Sequence, residues 1–239
     1  MDREEIEAIF DRQAEHYDAQ SERMAPLRDA LYFLVEQAFA RLPEDAHILC
    51  IGAASGKEII HLARRFPSFR FTAVDPARNM IEVCRAALRR EGIEARCDLH
   101  HGYLESLPRR SQPFHGATCF LVSQFILDRE VRVALFEQIA TRLAPEGVLA
   151  SADLAVGARE EDFDVLLPLW MEIMTGGEVP EARIVNAREV YRRDVAVLPP
   201  EEVASIIEAG GFERVTQCFQ AGMLHAWIAT RAGRVAHVS

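Results

Sequence analysis

The segment from Ile48 to Ile60, ILCIGAASGKEII, constrains the fold of this chain more than any other stretch. Its first four residues form an apolar run with the length and β-branched content of a buried strand. A loop of small residues, from Gly52 to Gly56, follows at once. Beyond the loop, four apolar residues recur at the spacing of one buried helix face: Ile59, Leu62, Ala63 and Phe66. The segment therefore predicts a strand, a tight loop and a helix in direct succession.

An acidic residue stands at a fixed distance from this loop. Asp75 comes 23 residues after Gly52, at the end of a second apolar run, Phe71 to Val74. Where a small-residue loop opens a helix, unpaired backbone N–H groups face outward, and short side chains let a ligand approach the main chain. A carboxylate at the end of the next strand suits the two hydroxyls of a ribose. Loop and acid together predict a site for an adenosine-containing ligand.

Strands and amphipathic helices alternate along the middle of the chain. After the first strand, further strands are predicted near residues 71–74, 95–99, 116–123 and 148–154, with helices from about 77 and from 130 to 143. Such alternation predicts a parallel sheet covered on both faces. Two final strands, 212–219 and 223–230, are separated by only three residues and must pair antiparallel. We expect an α/β fold with a seven-stranded, mostly parallel, Rossmann-like sheet and an antiparallel C-terminal hairpin.

Four segments are expected in the domain organisation. Residues 1–45 predict a pair of helices, and Tyr17 on the first of them is a candidate to lean over the ligand loop. Residues 46–157 form the cofactor-binding core, and residues 158–194 an inserted helical lid near the carboxyl ends of the strands. Residues 195–239 supply a helix and the strand hairpin that complete the core.

Composition limits the cellular locations and binding partners that we expect for this protein. With 239 residues, 49% of them hydrophobic, the chain can bury one large core. A net charge of -10 argues against nucleic acid as a partner, and no apolar run approaches the length of a membrane span. The five cysteines are odd in number and lack CxxC spacing, which indicates thiols in a reducing compartment. We expect a cytoplasmic protein with a small-molecule partner, and the insertion could also serve a homodimer interface.

With its strand order, glycine loop, acid after strand two and terminal hairpin, the chain resembles the class I S-adenosylmethionine-dependent methyltransferases over roughly residues 46–230. DPARNM and LAPEGVLASADL resemble the family's segments after strand two and into strand five. The sequence departs from the family pattern in three places. Cys50 stands at the usual acidic position before the loop, and Ala54 replaces the middle glycine. The acid usual after strand three is absent, because Gly102 and Tyr103 occupy that place.

The resemblance implies S-adenosylmethionine as cofactor, S-adenosylhomocysteine as product and methyl transfer to a small or medium-sized acceptor. Asp75 would bind the ribose, and Met80, Tyr103 and Leu104 would surround the adenine. The implied cofactor site comprises Tyr17, Gly52, Ala53, Ala54, Ser55, Gly56, Asp75, Pro76, Met80, Tyr103, Leu104 and Ser123. Candidates beside the transferring methyl group or in the acceptor pocket are Ser123, Gln124, Phe125, Trp170, Met174 and Arg188. The sequence assigns no catalytic base and no metal, since its histidines lack ligand spacing.

Two alternatives stay open. The segments FDRQAEHYD and AGGFERVTQCFQAGMLHAWIA are also similar to carboxy-S-adenosylmethionine synthase, which remodels the cofactor, and in that comparison Arg188 falls near the position that would bind the added carboxylate. Because the loop is altered, a non-catalytic S-adenosylmethionine-binding regulator or partner subunit is the alternative from a different class. Residues 158–194 contain no motif that specifies an oxygen, nitrogen, sulfur or carbon nucleophile in the acceptor.

Overall fold

The computed structural model describes residues 2–233 and contains one seven-stranded sheet with the order β3-β2-β1-β4-β5-β7-β6. Its strands are β1 His47–Ile51, β2 Arg70–Asp75, β3 Cys97–His101, β4 Phe114–Phe120, β5 Leu143–Leu154, β6 Phe212–Ala221 and β7 Leu224–Arg231. Strands β1 to β5 pair in parallel, whereas β7 is antiparallel to both β5 and β6. The predicted fold class, including the antiparallel C-terminal hairpin, is confirmed.

Nine α-helices connect and cover these strands in the described part of the chain. They are α1 Arg3–Gln13, α2 Tyr17–Ser21, α3 Ala25–Phe39, α4 Lys57–Arg65, α5 Arg78–Arg90, α6 Arg129–Ala140, α7 Glu160–Thr175, α8 Glu181–Asp194 and α9 Pro200–Ala209. Helices α3, α4, α5 and α7 contribute to the core on one face of the sheet. Helices α6 and α9 cover the other face. None of the helices within residues 2–233 has both the length and the apolar character needed to cross a membrane.

Burial explains why β1 lies at the centre of the sheet. All five residues of HILCI are buried, as expected for a parallel strand that is covered on both faces. Its neighbours are β2 on one side and β4 on the other, and their carboxyl ends meet at one edge of the sheet. The loops after β1, β2 and β4 are thereby brought together at that edge.

Several predicted boundaries were wrong in detail. The first helix does not run through Tyr17, because a 3₁₀ turn at Ala14–His16 separates α1 from α2. Strand β5 begins at Leu143, five residues before the predicted start, and contains an irregularity in its pairing with β4. Helix α6 ends at Ala140, and its buried side includes Val133, Phe136 and Ile139. Pattern locates an element well, but its ends depend on pairing and packing that the local sequence does not show.

The segment 158–194 contains two helices, α7 and α8, joined by a turn at Gly176. Gly176 adopts φ 78°, the left-handed conformation that commonly ends a helix. Trp170 of α7 donates its indole N–H to the Tyr191 hydroxyl of α8 at 2.8 Å, and this bond joins the two helices. Val165 and Leu169 lie on the outer side of α7 and are 69% and 45% exposed.

Candidate functional site

The loop between β1 and α4 adopts a conformation that ordinary side chains disfavour. Gly52, Ala54 and Gly56 have φ of 66°, 44° and 79°, so alternate residues occupy the left-handed region. A Cβ atom at Gly52 would lie 2.3 Å from Val122 Cγ2, and one at Gly56 would lie 2.7 Å from Cys84 Sγ. Both glycines are therefore required by backbone angle and by packing. Ala54 adopts the same region at the cost of strain.

Asp75 fixes this loop from the end of β2. Its Oδ2 accepts a hydrogen bond from the Ala54 N–H at 3.0 Å, and its Oδ1 accepts one from the Ala77 N–H at 2.9 Å. Burial raises the pKa of Asp75, whereas these two hydrogen bonds lower it. Each carboxylate oxygen retains acceptor capacity after these bonds. Asp75 can thus position the loop and still accept hydrogen bonds from a pair of ligand hydroxyls.

The N-terminal segment packs against the loop. Tyr17 and Ala54 pack around a small cluster formed by Ala14, Ala77 and Met80. Burial, and then the nearby carboxyls of Asp75, Asp18 and Glu58, together raise the pKa of Tyr17 to about 12. The Tyr17 hydroxyl is therefore neutral and remains a hydrogen-bond donor over the physiological pH range. Tyr17 therefore lies beside the loop, and its role in binding the cofactor stays a prediction.

Polar contacts on two helices attach this segment to the core. Lys57, the first residue of α4, lies 3.4 Å from Asp18 Oδ1 and 3.2 Å from Glu22 Oε2. On α1, Asp11 Oδ1 accepts a hydrogen bond from the Asn79 N–H at 2.7 Å. The segment is thus attached on both sides of the loop, to α4 and to α5.

The three predicted adenine contacts are not brought into one cluster. Met80 is fully buried beside Ala14 and Ala77, whereas Leu104 belongs to the core on the face covered by α6 and α9. Tyr103 donates its hydroxyl proton to the Arg3 carbonyl at 3.0 Å, and the Arg3 guanidinium lies over its ring at 4.8 Å. The adenine assignment of these residues stays a prediction.

The polar side chains at the end of β4 are already engaged. Ser123 Oγ donates to Asp153 Oδ2 at 2.7 Å and accepts from Arg132 Nε at 2.9 Å. Gln124 Oε1 accepts from the Leu154 N–H at 2.8 Å. These side chains join β4 to β5 and α6, and the Ser123 hydroxyl has no free proton for a ligand. Phe125 instead contacts Phe10 of α1 edge to face, with ring centroids 5.7 Å apart.

Sequence reasoning missed Glu58, which lies just after the loop and is buried. It belongs to the first turn of α4, is 6% exposed, and accepts a hydrogen bond from Thr118 Oγ1 at 2.7 Å. Burial raises its pKa to about 7, while hydrogen bonds from Thr118 and Cys50 oppose that rise. The only sequence signal was its position two residues after Gly56, which is also typical of a solvated acid near a helix start.

The predicted residues of the insertion differ in their surroundings. Trp170 is 5% exposed and packs in the core, while Met174 is 42% exposed. Arg188 lies 2.7 Å from Asp164, so it forms an ion pair between α8 and α7. Within residues 2–233, no hydrogen bond or ion pair joins any of these three side chains to the loop.

A groove of about 490 Å³ opens between the insertion and the end of β5. Its apolar wall includes Leu127, Val156, Phe163, Tyr191 and Leu198. Leu127 follows the end of β4 and Val156 follows β5, so the groove lies at the carboxyl ends of the strands, where open α/β sheets bind ligands. Sequence analysis had not selected any of these groove residues.

Comparisons with known proteins agree with this geometry. A family model described as a methyltransferase domain matches residues 48–147, which include the loop, Asp75 and the end of β4. The malonyl-[acyl-carrier protein] O-methyltransferase of Geobacter sulfurreducens is 31% identical over 165 residues, which cover 67% of this chain and 57% of that protein.

Two solved structures share the fold. An O-methyltransferase family protein from Burkholderia thailandensis has a TM-score of 0.65 and 15% identity, covering 93% of this chain and 60% of that one. The structure of PigF with SAH has a TM-score of 0.57 and 13% identity, covering 77% of this chain and 50% of that one. In each of these comparisons the chain spans less than two thirds of the matched protein.

The sheet order, the strained loop and the acid at the end of β2 define a Rossmann-like protein built to hold a nucleoside cofactor. Residues 48–147 match the methyltransferase domain, and together with this sheet they identify a class I S-adenosylmethionine-dependent methyltransferase domain. The predicted family and its cofactor, S-adenosylmethionine, are thereby confirmed. The residues present fit that cofactor, because Asp75 retains acceptor capacity and the loop has only small side chains.

Proposed function

We propose that this protein transfers a methyl group from S-adenosylmethionine to a small or medium-sized acceptor. The observation that carries the proposal is the Asp75 carboxylate, which holds the amides of Ala54 and Ala77 beside the left-handed loop. Asp75 would accept hydrogen bonds from the ribose hydroxyls, and loop residues 52–55 would contact the cofactor through their main chain. When bound, S-adenosylmethionine supplies a methyl group already activated by the positive sulfonium, so the protein needs chiefly to orient the acceptor and exclude water.

The groove is the acceptor site that we propose. Its apolar wall and its opening beside the ends of β4 and β5 suit an acceptor with an apolar body. The O-methyltransferases among the similar proteins make hydroxyl and carboxylate oxygens the first nucleophiles to test. Calorimetric titration with S-adenosylmethionine and S-adenosylhomocysteine, with NADH as control, tests the cofactor. Absence of binding in a folded sample would refute the proposal, and binding would justify a screen for methylated oxygen acceptors.

The same titration separates the two alternatives. Preference for a carboxylated sulfonium analogue would favour the cofactor-remodelling activity, although the pairing of Arg188 with Asp164 provides no support for it. Binding without turnover of any acceptor in a broad screen would favour a non-catalytic regulator.

We also propose a cytoplasmic location and self-association. The location is supported by the cysteines, of which Cys50, Cys84 and Cys119 are buried free thiols. Self-association is supported by exposed apolar side chains on the insertion: Val165, Leu169, Met174 and Val185. Sedimentation velocity of the intact protein and of V165E/L169E distinguishes a dimer through this face from a monomer.

A further inference from the structure

Glu58 differs from two other buried acids near the carboxyl end of the sheet. Asp153 lies 3.2 Å from Arg132, and Asp75 accepts hydrogen bonds from two backbone amides. Glu58 has only a hydroxyl and a thiol as partners, and within residues 2–233 no cationic group lies within 4.0 Å of it. Ionisation of a buried carboxyl is costly unless a cation or several donors compensate it. Glu58 is therefore a site where a cationic ligand group would be stabilised.

The position of Glu58 in the fold indicates which cationic group of a ligand it could bind. Cys50 and Thr118 are opposite each other on β1 and β4, and both contact the Glu58 carboxyl. The loop of residues 52–56 connects β1 to the helix that carries Glu58. Glu58 therefore lies at the junction of β1, β4 and α4, directly beside the proposed cofactor site.

Tyr17 connects this acid to the ribose end of the site. Its side chain packs beside Ala54, and its hydroxyl lies close enough to both Asp75 and Glu58 for each carboxyl to raise its pKa. A ligand whose ribose is bound at Asp75 and that extends beneath Tyr17 would place its other end toward Glu58. In S-adenosylmethionine that end is an aminocarboxypropyl chain. Its ammonium has N–H donors, whereas the sulfonium has none, so the ammonium is the group that a carboxylate acceptor can hydrogen-bond.

We infer that Glu58 accepts a hydrogen bond from the ammonium group of the cofactor and loses its proton to solvent when the cofactor binds. This inference rests on the proposed function. No covalent bond changes: the carboxylic acid becomes a carboxylate, one proton enters the buffer, and the carboxylate pairs with the ammonium. Glu58 would thus be a positioning residue that holds the amino-acid end of the cofactor.

The groups that face Glu58 from neighbouring elements do not titrate near neutral pH. Burial raises the pKa of Tyr17 to about 12, and it raises the pKa of Cys50 on β1 and of Tyr32 on α3 well above their ordinary values. Burial also raises the pKa of Cys84 on α5 to about 12 and that of Cys119 on β4 well above its ordinary value. His61, on the same helix, hydrogen-bonds to Glu36 on α3.

The test is calorimetry of cofactor binding at pH 6.5 in two buffers of different ionisation enthalpy, which measures protons released per ligand. With the pKa of Glu58 raised to about 7, roughly three quarters of a proton should be released by the wild-type protein. E58Q should abolish most of this release and weaken binding of both S-adenosylmethionine and S-adenosylhomocysteine on the order of tenfold. Its unfolding temperature without ligand should not fall, because glutamine can keep the Thr118 contact.

E36Q is the matched control. Glu36 also contacts α4, through His61 and Arg65, but on the outer side of the helix. It should leave both cofactor affinity and proton release unchanged. If the wild-type protein binds the cofactor and E58Q binds it equally well with the same proton release, the inference is overturned and the proposed function stands. If the folded wild-type protein binds neither ligand, both are overturned.

Discussion

Arg132 Nη2 and Asp153 Oδ2 lie 3.2 Å apart beneath the carboxyl end of β5, and both side chains are excluded from solvent. Ser123 lies between them as donor to the carboxylate and acceptor from the guanidinium. Arg132 Nη1 also donates to the Ala196 carbonyl at 3.3 Å, which links α6 to the segment before α9. One buried ion pair thereby joins the end of β4, the end of β5 and the wall of the groove.

Removal of one partner of this pair should be strongly destabilising. D153A should lower the free energy of unfolding by about 3–5 kcal/mol, because Arg132 would remain as a buried charge without its counter-ion. Urea denaturation measures the loss. The control is E130A, which removes an acid that is exposed and paired with Arg129 at the surface, and its effect should stay within about 0.5 kcal/mol. A loss below about 1 kcal/mol in D153A would contradict the structural role assigned to the pair.

Asp75 should affect cofactor affinity more than any surface acid. D75N should weaken cofactor binding by about 1–3 kcal/mol, since the ribose hydroxyls and the Ala54 amide would lose an anionic acceptor. Calorimetric titration measures the change, and circular dichroism verifies the fold. D98N, which removes an exposed acid on β3 paired with Arg110, is the control and should bind normally. Unchanged affinity in folded D75N would remove Asp75 from the site.

Ala54 carries strain that a glycine would relieve. Its φ of 44° lies in the left-handed region, which costs an alanine about 1 kcal/mol. A54G should therefore raise the free energy of unfolding by up to about 1 kcal/mol, although the greater freedom of glycine in the unfolded chain offsets part of the gain. Ala53, which has no positive φ, provides the control: A53G should destabilise the protein. If A54G also destabilised it, the loop would not be strained as described.

His47 should make stability depend on pH below neutrality. Burial, and then the nearby Arg110, lower the pKa of His47 from 6.5 to about 4. The unfolded chain therefore binds more protons between these values, so the stabilising contribution is complete above pH 6.5 and is lost as the pH falls toward 4. The loss should be on the order of 2–3 kcal/mol. Chemical denaturation at several pH values should show a weaker dependence in H47Q than in the wild-type protein, whereas H16Q, at an exposed site, should resemble wild type.

The groove can be tested with two exposed apolar residues. Leu127 lines the groove and is 49% exposed, whereas Val131 is 45% exposed and does not line it. Neither L127A nor V131A should change the free energy of unfolding by more than about 0.5 kcal/mol. With an acceptor identified by screening, L127A should raise KM severalfold while V131A leaves it unchanged. Equal KM values for both variants would place the acceptor elsewhere.

Much of the fold was predictable because it depends on local patterns. The small-residue loop after a buried strand, the acid after the next strand and the short hairpin turn each have a direct structural cause in the sequence. The side-chain contacts of the site were harder to predict from the sequence. Arg132 lies in an amphipathic helix, and nothing in the sequence shows that its guanidinium is buried against Asp153. The engagement of the Ser123 hydroxyl follows from that long-range contact.

Glu58 and Cys50 also show that sequence alone does not reveal which side chains meet in the folded protein. Sequence comparison showed that Cys50 lacks the acid usual at its position. The structure places a carboxyl from α4 beside that thiol, held by Thr118 on the neighbouring strand. The acidic group was present in the sequence, but only the packing of α4 against β1 and β4 shows where its carboxyl lies.

The contacts of Lys57 with Asp18 and Glu22 also bear on the speed of the catalytic cycle. These ion pairs hold the segment that carries Tyr17 against the loop, so under the proposed function they would oppose any opening of that segment during release of the cofactor. Because they are partly exposed, salt weakens them. Residence time of the spent cofactor, and with it the turnover rate, would then depend on ionic strength.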